Sequence, residues 1–229
     1  IRAGRGRGAG RQRRARRPGT EGATLTAEHL ERSMRSYGLV PAGLGGGWRQ
    51  PTVVRLREVA SARLVLADDA ALPDAVALSH PADLVVWYDG DDAWRETLTL
   101  LDIGHGVRAP QPGPDDYAGV DVRGKLLLAR DGVDDTAEWT DDARARHGER
   151  AHKLELARAA GARGLLLETS SLCTDPSWTA LVAELGGPHV DVPTDTRRRK
   201  LAPIEGALCV ESGAKLRAYE QLRHAERLT

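Results

Sequence analysis

The chain has 229 residues, enough for one mid-sized domain or two small ones with a buried core. Its formal net charge is zero, but residues 1–17 hold eight arginines and no acid, so the remainder is acidic, with 25 basic and 33 acidic residues. No apolar run approaches the roughly 20 residues of a membrane span. The acidic body gives no reason to expect specific nucleic-acid binding, and no signal-peptide pattern is visible, so the compartment stays unknown.

The N-terminal quarter predicts a disordered basic tail over residues 1–17, followed by a helix and a linker over residues 18–50. The helix is expected over residues 24–37, capped by Thr24 or Thr26 and ended by Gly38. One face of this helix would carry four apolar side chains: Ala27, Leu30, Met34 and Tyr37.

From residue 52 onward the pattern changes to short strands separated by helices and turns, which predicts an α/β or α+β body. The segments His105–Val120 and 131–148 read as an ordered loop and an exposed acidic stretch, respectively. Strands are predicted at Thr52–Val59, Ala62–Ala67, Leu84–Tyr88, Thr97–Ile103, Lys125–Ala129, Gly164–Thr169 and Ala207–Val210. Helices are predicted at Glu149–Ala160, at Trp178–Leu185, and after a cap at Ser212, where Leu216, Tyr219 and Leu222 would share a face.

Three stretches of the chain carry a family resemblance. The first runs from Arg17 through Gly22 and, after the helix, from Gly38 to Gly43. The second is Gly104-His105-Gly106-Val107-Arg108-Ala109-Pro110 with Asp115–Lys125, and the third is Lys153–Leu167. Together they resemble the N-terminal segment and the protease-associated (PA) domain of M28-type zinc aminopeptidases. His105 stands where that family usually has an aromatic residue.

The resemblance implies a PA-type strand-rich barrel or sandwich with flanking helices over residues 51–229, preceded by the helix and linker at 18–50. In the family, the helix belongs to the catalytic domain and packs on its sheet. The catalytic domain itself is not present in this sequence. Family members are often secreted or periplasmic.

The zinc-binding residues that the family needs are missing from this sequence. A two-zinc hydrolase requires several carboxylate and imidazole ligands and a general base, yet the chain contains no Glu-Glu dipeptide. Its one His-x-Asp triplet, His189-Val190-Asp191, follows Gly186-Gly187-Pro188 and is expected in a loop. We therefore predict no catalytic residue, no metal ligand and no cofactor site in this chain.

For each of the weaker candidate metal or catalytic sites, a purely structural role is the favoured interpretation. Ser79-His80-Pro81-Ala82-Asp83 has the wrong spacing for a metal site, and Asp89–Asp92 and the acids of 131–142 do not follow a Ca²⁺-loop pattern. Cys173 with His152 or His189 is a formal nucleophile pair, but a buried spectator cysteine is favoured. The segment Arg197–Lys200 is expected to be a solvated loop. Two cysteines are too few for a disulfide framework, and the sequence leaves open whether Cys173 and Cys209 pair.

The sequence thus predicts a non-catalytic module that shapes substrate access or protein contacts of an M28-type aminopeptidase. Its partner would be a peptidase catalytic domain, or a peptide or protein substrate. The alternative is an enzyme: either a divergent hydrolase that uses His189 and Asp191, or a fragment of an active zinc aminopeptidase whose catalytic half lies outside this chain.

Overall fold

The computed structural model describes residues 19–66, 77–88, 95–110, 113–191 and 203–226. The chain divides into two compact units, one of Ile1–Arg57 with His189–Thr196, the other of Glu58–Pro188 with Arg197–Thr229. The predicted tail at 1–17, the acidic run Asp89–Asp92 and the basic run Arg197–Lys200 lie outside the described residues.

In its described residues, the first unit contains one helix, one short 3₁₀ turn at Leu44–Gly46, and a two-stranded antiparallel ribbon. The helix, α1, spans Glu21–Ser36 and begins one turn earlier than predicted, because Thr20 rather than Thr24 or Thr26 caps it by accepting a hydrogen bond from the Ala23 amide. Gly38 has φ of 73° and ends the helix as expected. The ribbon pairs β1, Arg55–Arg57, with β8, His189–Asp191.

The second unit is built on strands, whose bounds are β2 Arg63–Val65, β3 Ala77–Ser79, β4 Leu84–Tyr88, β5 Leu100–Asp102, β6 Leu126–Arg130, β7 Gly164–Glu168 and β9 Ile204–Leu208. Five of them form a mixed sheet in the order β4-β9-β7-β6-β5. Strands β5, β6, β7 and β9 run parallel, and β4 is antiparallel to β9. A separate antiparallel pair, β2-β3, belongs to the same unit.

Among the described residues, four helices accompany this sheet: α2 Asp141–Gly148, α3 Arg150–Ala159, α4 Pro176–Leu185 and α5 Val210–Glu226. Side chains alternate between two packed faces of its strands. One face carries Leu127, Leu165 and Leu167, which pack against α3 through Ala157. The opposite face carries Leu128, Leu166 and Leu208, which pack with Leu216 of α5 and Leu78 of β3.

The mixed α+β class predicted from the sequence is confirmed, and the five-stranded sheet is open rather than closed into a barrel. Several element predictions need correction. The stretch 131–148 is mostly exposed as predicted, but its residues 141–148 form a helix that was not predicted, because Thr140 caps it and two aspartates occupy its first turn. Ser212 lies inside α5 and is buried rather than acting as its cap. In the part of the chain that the structure describes, no helix is long and apolar enough to cross a membrane.

Candidate functional site

The loop that follows β5 carries the family resemblance, and carboxylates hold its backbone in place. The Asp116 carboxylate accepts hydrogen bonds from the amides of His105, at 3.2 Å, and Val107, at 2.9 Å. Asp102 accepts another from the Gly104 amide at 2.9 Å. Gly104 and Gly106 have φ of 67° and 64°, the left-handed region that favours glycine. The loop is therefore ordered at its first turn by side-chain to backbone hydrogen bonds.

Lys153 of α3 fastens this loop to the end of β6. Its side chain is fully buried, and the ammonium donates hydrogen bonds to three backbone carbonyls, those of His105, Arg130 and Gly132. An ammonium has three donors, so the three carbonyls match it one for one. Burial lowers the pKa of Lys153 to about 8, which leaves the charged form predominant at pH 7.

Tyr117 closes the underside of the same loop. Its ring is buried beneath the Arg108 guanidinium, which lies 4.9 Å from the ring centroid, and Arg108 is paired with Asp115 at 3.2 Å. Burial raises the pKa of Tyr117 to about 12, so its hydroxyl stays protonated at physiological pH. The sequence reasoning missed both Tyr117 and Lys153 as structural anchors, although Lys153 is one of only four lysines in a chain with 29 arginines.

Two histidines meet where α2 gives way to α3. The rings of His147 and His152 lie 5.1 Å apart in an edge-on arrangement, and Trp139 lies 5.4 Å from His147. His147 Nδ1 and His152 Nε2 are buried without a hydrogen-bond partner among the described residues. Burial, reinforced by His152 and Arg146, lowers the pKa of His147. This pair was missed because the surrounding polar sequence gave no sign of burial.

The predicted His-x-Asp triplet lies on a strand, which corrects the expectation of a loop. His189 and Asp191 are the first and last residues of β8, where they are register partners of Arg57 and Arg55. Among the described residues, His189 belongs to no group of three metal-binding side chains.

The segment Ser79–Asp83 is a turn between β3 and β4. The Ser79 amide donates to the Asp83 carboxylate at 3.0 Å, and His80 Nδ1 accepts from the Val86 amide at 3.3 Å. Burial lowers the pKa of His80, in keeping with a neutral ring that accepts a hydrogen bond. These contacts stabilise the chain reversal and leave no sign of a metal site in this segment.

The two cysteines form a disulfide between Cys173, in the loop before α4, and Cys209, directly after β9. Their Cα atoms are 5.0 Å apart. In this form Cys173 has no thiol and cannot act as a nucleophile with His152 or His189. The pairing that the sequence left open is therefore present in the structure.

A buried ion pair links the sheet to α5. The Arg217 guanidinium binds both carboxylate oxygens of Glu168, at the end of β7, and the pair raises the pKa of Arg217. Gly213 lies directly over this carboxylate, since a Cβ built there would fall 1.9 Å from Glu168 Oε2. Two acids of the stretch 131–142 have local partners: Asp134 accepts from the Thr136 amide and Asp135 from Arg144.

The first unit presents an apolar surface to solvent. No residue of α1 is buried, and Leu30 is half exposed. Other large apolar side chains in the same unit are exposed as well: Leu25, Met34, Tyr37, Leu39, Val40, Val53, Val54 and Leu56. So many exposed apolar side chains in one small unit are typical of an interaction surface.

Comparisons with known proteins find likeness to solved aminopeptidases. An aminopeptidase from Aneurinibacillus sp. strain AM-1 is 16% identical, with a TM-score of 0.37, over 92% of this chain and 39% of that chain. Two structures of BSAP, a zinc aminopeptidase from Bacillus subtilis, are 17% identical with TM-scores of 0.32, over 87% of this chain and 36% of that chain. The chain thus spans less than two fifths of each of these proteins. No family model and no curated protein matches the chain.

Proposed function

We propose that this chain is a non-catalytic protease-associated module that controls substrate access to, or protein contacts of, an M28-type aminopeptidase. The observation that carries the proposal is the loop Gly104–Lys125, the most specific part of the family resemblance. Asp116 of this loop accepts hydrogen bonds from two backbone amides, and Lys153 of α3 donates one to the His105 carbonyl. Such a loop is built to keep a shape, as a lid or contact surface requires.

The partner in this proposal is a peptidase catalytic domain that covers the apolar face of α1. An isolated short helix is marginal in water, and most of its stability comes from packing of the apolar face. Burial of Leu30 and Met34 would each contribute about 1.5–3 kcal/mol. A covering domain would supply that burial.

Activity measurements test the non-catalytic part of the proposal. The chain, supplied with one equivalent of Zn²⁺, is assayed for release of p-nitroaniline from aminoacyl p-nitroanilides. We expect no turnover, because the sequence lacks the Glu-Glu pair that supplies a ligand and the general base. Turnover that disappears in His189→Ala, but persists in the control His29→Ala on exposed α1, would contradict the proposal.

A binding experiment tests the partner. An isolated M28 catalytic domain is titrated with the chain by calorimetry, and with the variants Leu30→Glu and Met34→Glu. We expect both variants to weaken binding at least tenfold, and Arg32→Glu on the other side of α1 to leave it nearly unchanged. Equal binding by all four proteins, or none by any, would remove α1 from the interface.

The alternative, a fragment of an active zinc aminopeptidase, draws support from one observation. His189 and Asp191 are the first and last residues of β8, and the zinc-binding His-x-Asp of the family that the chain resembles likewise lies at a strand. A complementation assay separates the two ideas. Restoration of Zn²⁺-dependent turnover by mixing the chain with an M28 catalytic segment that lacks its own His-x-Asp would favour the fragment.

A further inference from the structure

Ligand-type atoms converge at the start of α5. The side chains of Cys173, Cys209 and Glu211 each place one sulfur or carboxylate oxygen within 4.8 Å of the other two. The three come from two places in the chain, the loop after β7 and the junction between β9 and α5. Among the described residues, these three form the group of histidine, cysteine or carboxylate side chains whose ligand atoms all lie within that distance of one another.

The position of Glu211 is fixed by the protein. Its Oε2 accepts a hydrogen bond from the Cys173 amide at 2.9 Å, so the carboxylate is held beside the sulfur of the same residue. Ser212 Oγ lies 3.1 Å from Cys209 Sγ and 3.9 Å from Cys173 Sγ. A carboxylate and a hydroxyl thus lie beside the two sulfurs.

The helix terminus favours the charges that metal ligands carry. The Cys209 carbonyl accepts from the Gly213 amide at 3.0 Å, which makes Cys209 the N-cap residue directly before α5. A cysteine at a helix N-terminus has its thiolate stabilised by the helix dipole, and the same field favours the Glu211 carboxylate. After reduction, both sulfurs would therefore become better ligands than ordinary cysteines.

We propose that reduction of the Cys173–Cys209 disulfide creates a site for a thiophilic divalent cation such as Zn²⁺, with both thiolates and Glu211 as ligands. Two sulfurs and one oxygen suit Zn²⁺, and water completes a tetrahedron because Cys173 and Glu211 are partly exposed. A dithiol donates two electrons and two protons to the S–S bond and becomes a disulfide itself. Metal binding then releases the two thiol protons. In the oxidised chain the two sulfurs are bonded to each other and cannot bind the ion as thiolates. The disulfide and the bound metal therefore exclude each other at this site.

The experiment uses the full chain and Co²⁺ as a spectroscopic probe for Zn²⁺. The protein is reduced with a phosphine, which becomes the phosphine oxide with oxygen from water and leaves no competing thiol. We expect one equivalent of Co²⁺ to produce a thiolate-to-cobalt absorption band, which Zn²⁺ abolishes. The untreated, oxidised chain should give no band. Absence of the band in reduced protein, whether that protein is folded or unfolded by circular dichroism, overturns the proposal.

Variants decide whether the three residues act together. Glu211→Gln keeps an acceptor for the Cys173 amide but removes the charge, and we expect it to weaken Co²⁺ affinity at least tenfold. Cys173→Ser should remove about half of the band intensity. It tests the role of the thiolates even if Cys209→Ser, at a fully buried position, fails to fold. Glu220→Gln, on the same helix, is the matched control and should bind like wild type. Unchanged affinity in Glu211→Gln would exclude the carboxylate and overturn the three-ligand site.

Discussion

The Lys153 ammonium donates a hydrogen bond to the His105 carbonyl, 48 residues earlier in the chain, at 2.6 Å. The same nitrogen also binds the carbonyls of Arg130 and Gly132, so one side chain of α3 joins the ends of two neighbouring parallel strands. These hydrogen bonds hold in place the start of the loop that most resembles the PA signature. Its conformation depends on a residue outside the loop.

Replacing Lys153 by methionine should lower the free energy of unfolding by about 2–5 kcal/mol, because three buried carbonyls lose their donor. Methionine preserves most of the aliphatic volume, so the loss reports the hydrogen bonds. Urea unfolding measures it. Lys215→Met, at an exposed site on α5, is the control. A change below about 0.5 kcal/mol in Lys153→Met would show that water replaces the ammonium without cost.

Acid should destabilise the chain through His147. Its pKa is lowered by burial in the native state, so the unfolded chain takes up a proton near pH 6.5 that the native state resists. The stability that this neutral ring contributes is present above that pH and is lost as the pH falls below it. We expect the melting temperature to fall less between pH 7 and pH 5 in His147→Gln than in wild type. Exposed His29→Gln should retain the wild-type slope, and an equal slope in His147→Gln would contradict the prediction.

Replacing Gly106 by valine should lower the free energy of unfolding by about 1–3 kcal/mol. The backbone has φ of 64°, and a Cβ there would lie 3.2 Å from the Ala129 Cβ and 3.4 Å from Ile103 Cδ1. Gly124→Val separates the two causes, because Gly124 has φ of 68° but nothing within 4 Å of a built Cβ. Thermal unfolding of both variants gives the comparison. Equal losses would mean that packing against Ala129 adds nothing to the backbone cost.

Gly213→Ala should destabilise the chain even though alanine favours a helix by about 1 kcal/mol over glycine. The new methyl group would displace the Glu168 carboxylate from Arg217. A double-mutant cycle isolates this cause: in a Glu168→Ala background, Gly213→Ala should become neutral or stabilising. Unfolding in urea measures all four proteins. The same loss in both backgrounds would show that the carboxylate is not what the methyl group meets.

Amide exchange should be faster in α1 than in the sheet. No residue of Glu21–Ser36 is buried, whereas the first four residues of β6, Leu126–Ala129, are all buried. We expect deuterium to enter α1 at least a hundredfold faster than β6 in dilute protein. Equal protection of the two segments at low concentration would show that α1 is an integral part of the fold.

Local signals predicted much of the second unit. The continuous apolar run Leu126–Leu128 indicated a strand buried on both faces, and Gly161, with φ of 84°, ends the predicted helix before β7. The predicted last strand was shifted, because Glu205 and Gly206 interrupt its apolar pattern. In the structure, Glu205 is buried with Arg158 and the Trp87 indole, and Gly206 permits close approach of Leu166.

Elements that depend on distant partners could not be predicted in this way. The triplet His189–Asp191 follows two glycines and a proline, which favour a loop, yet it forms a strand because Arg55–Arg57 pairs with it. The convergence of Cys173, Cys209 and Glu211 likewise depends on the order of β7 and β9 in the sheet. Spacing along the chain contains no information on either arrangement.

Because β9 lies between β4 and β7, the sheet cannot be completed until late in synthesis on the ribosome. Leu84 pairs with Leu208, so β4 is made about 120 residues before the strand that joins it to the sheet. At roughly 5–20 residues per second, that interval lasts about 6–24 seconds. During it, β4 and the adjoining edge of β7 present unpaired backbone groups and apolar side chains to other nascent chains. This exposure lasts until residues 204–208 have been synthesised and can pair with both strands.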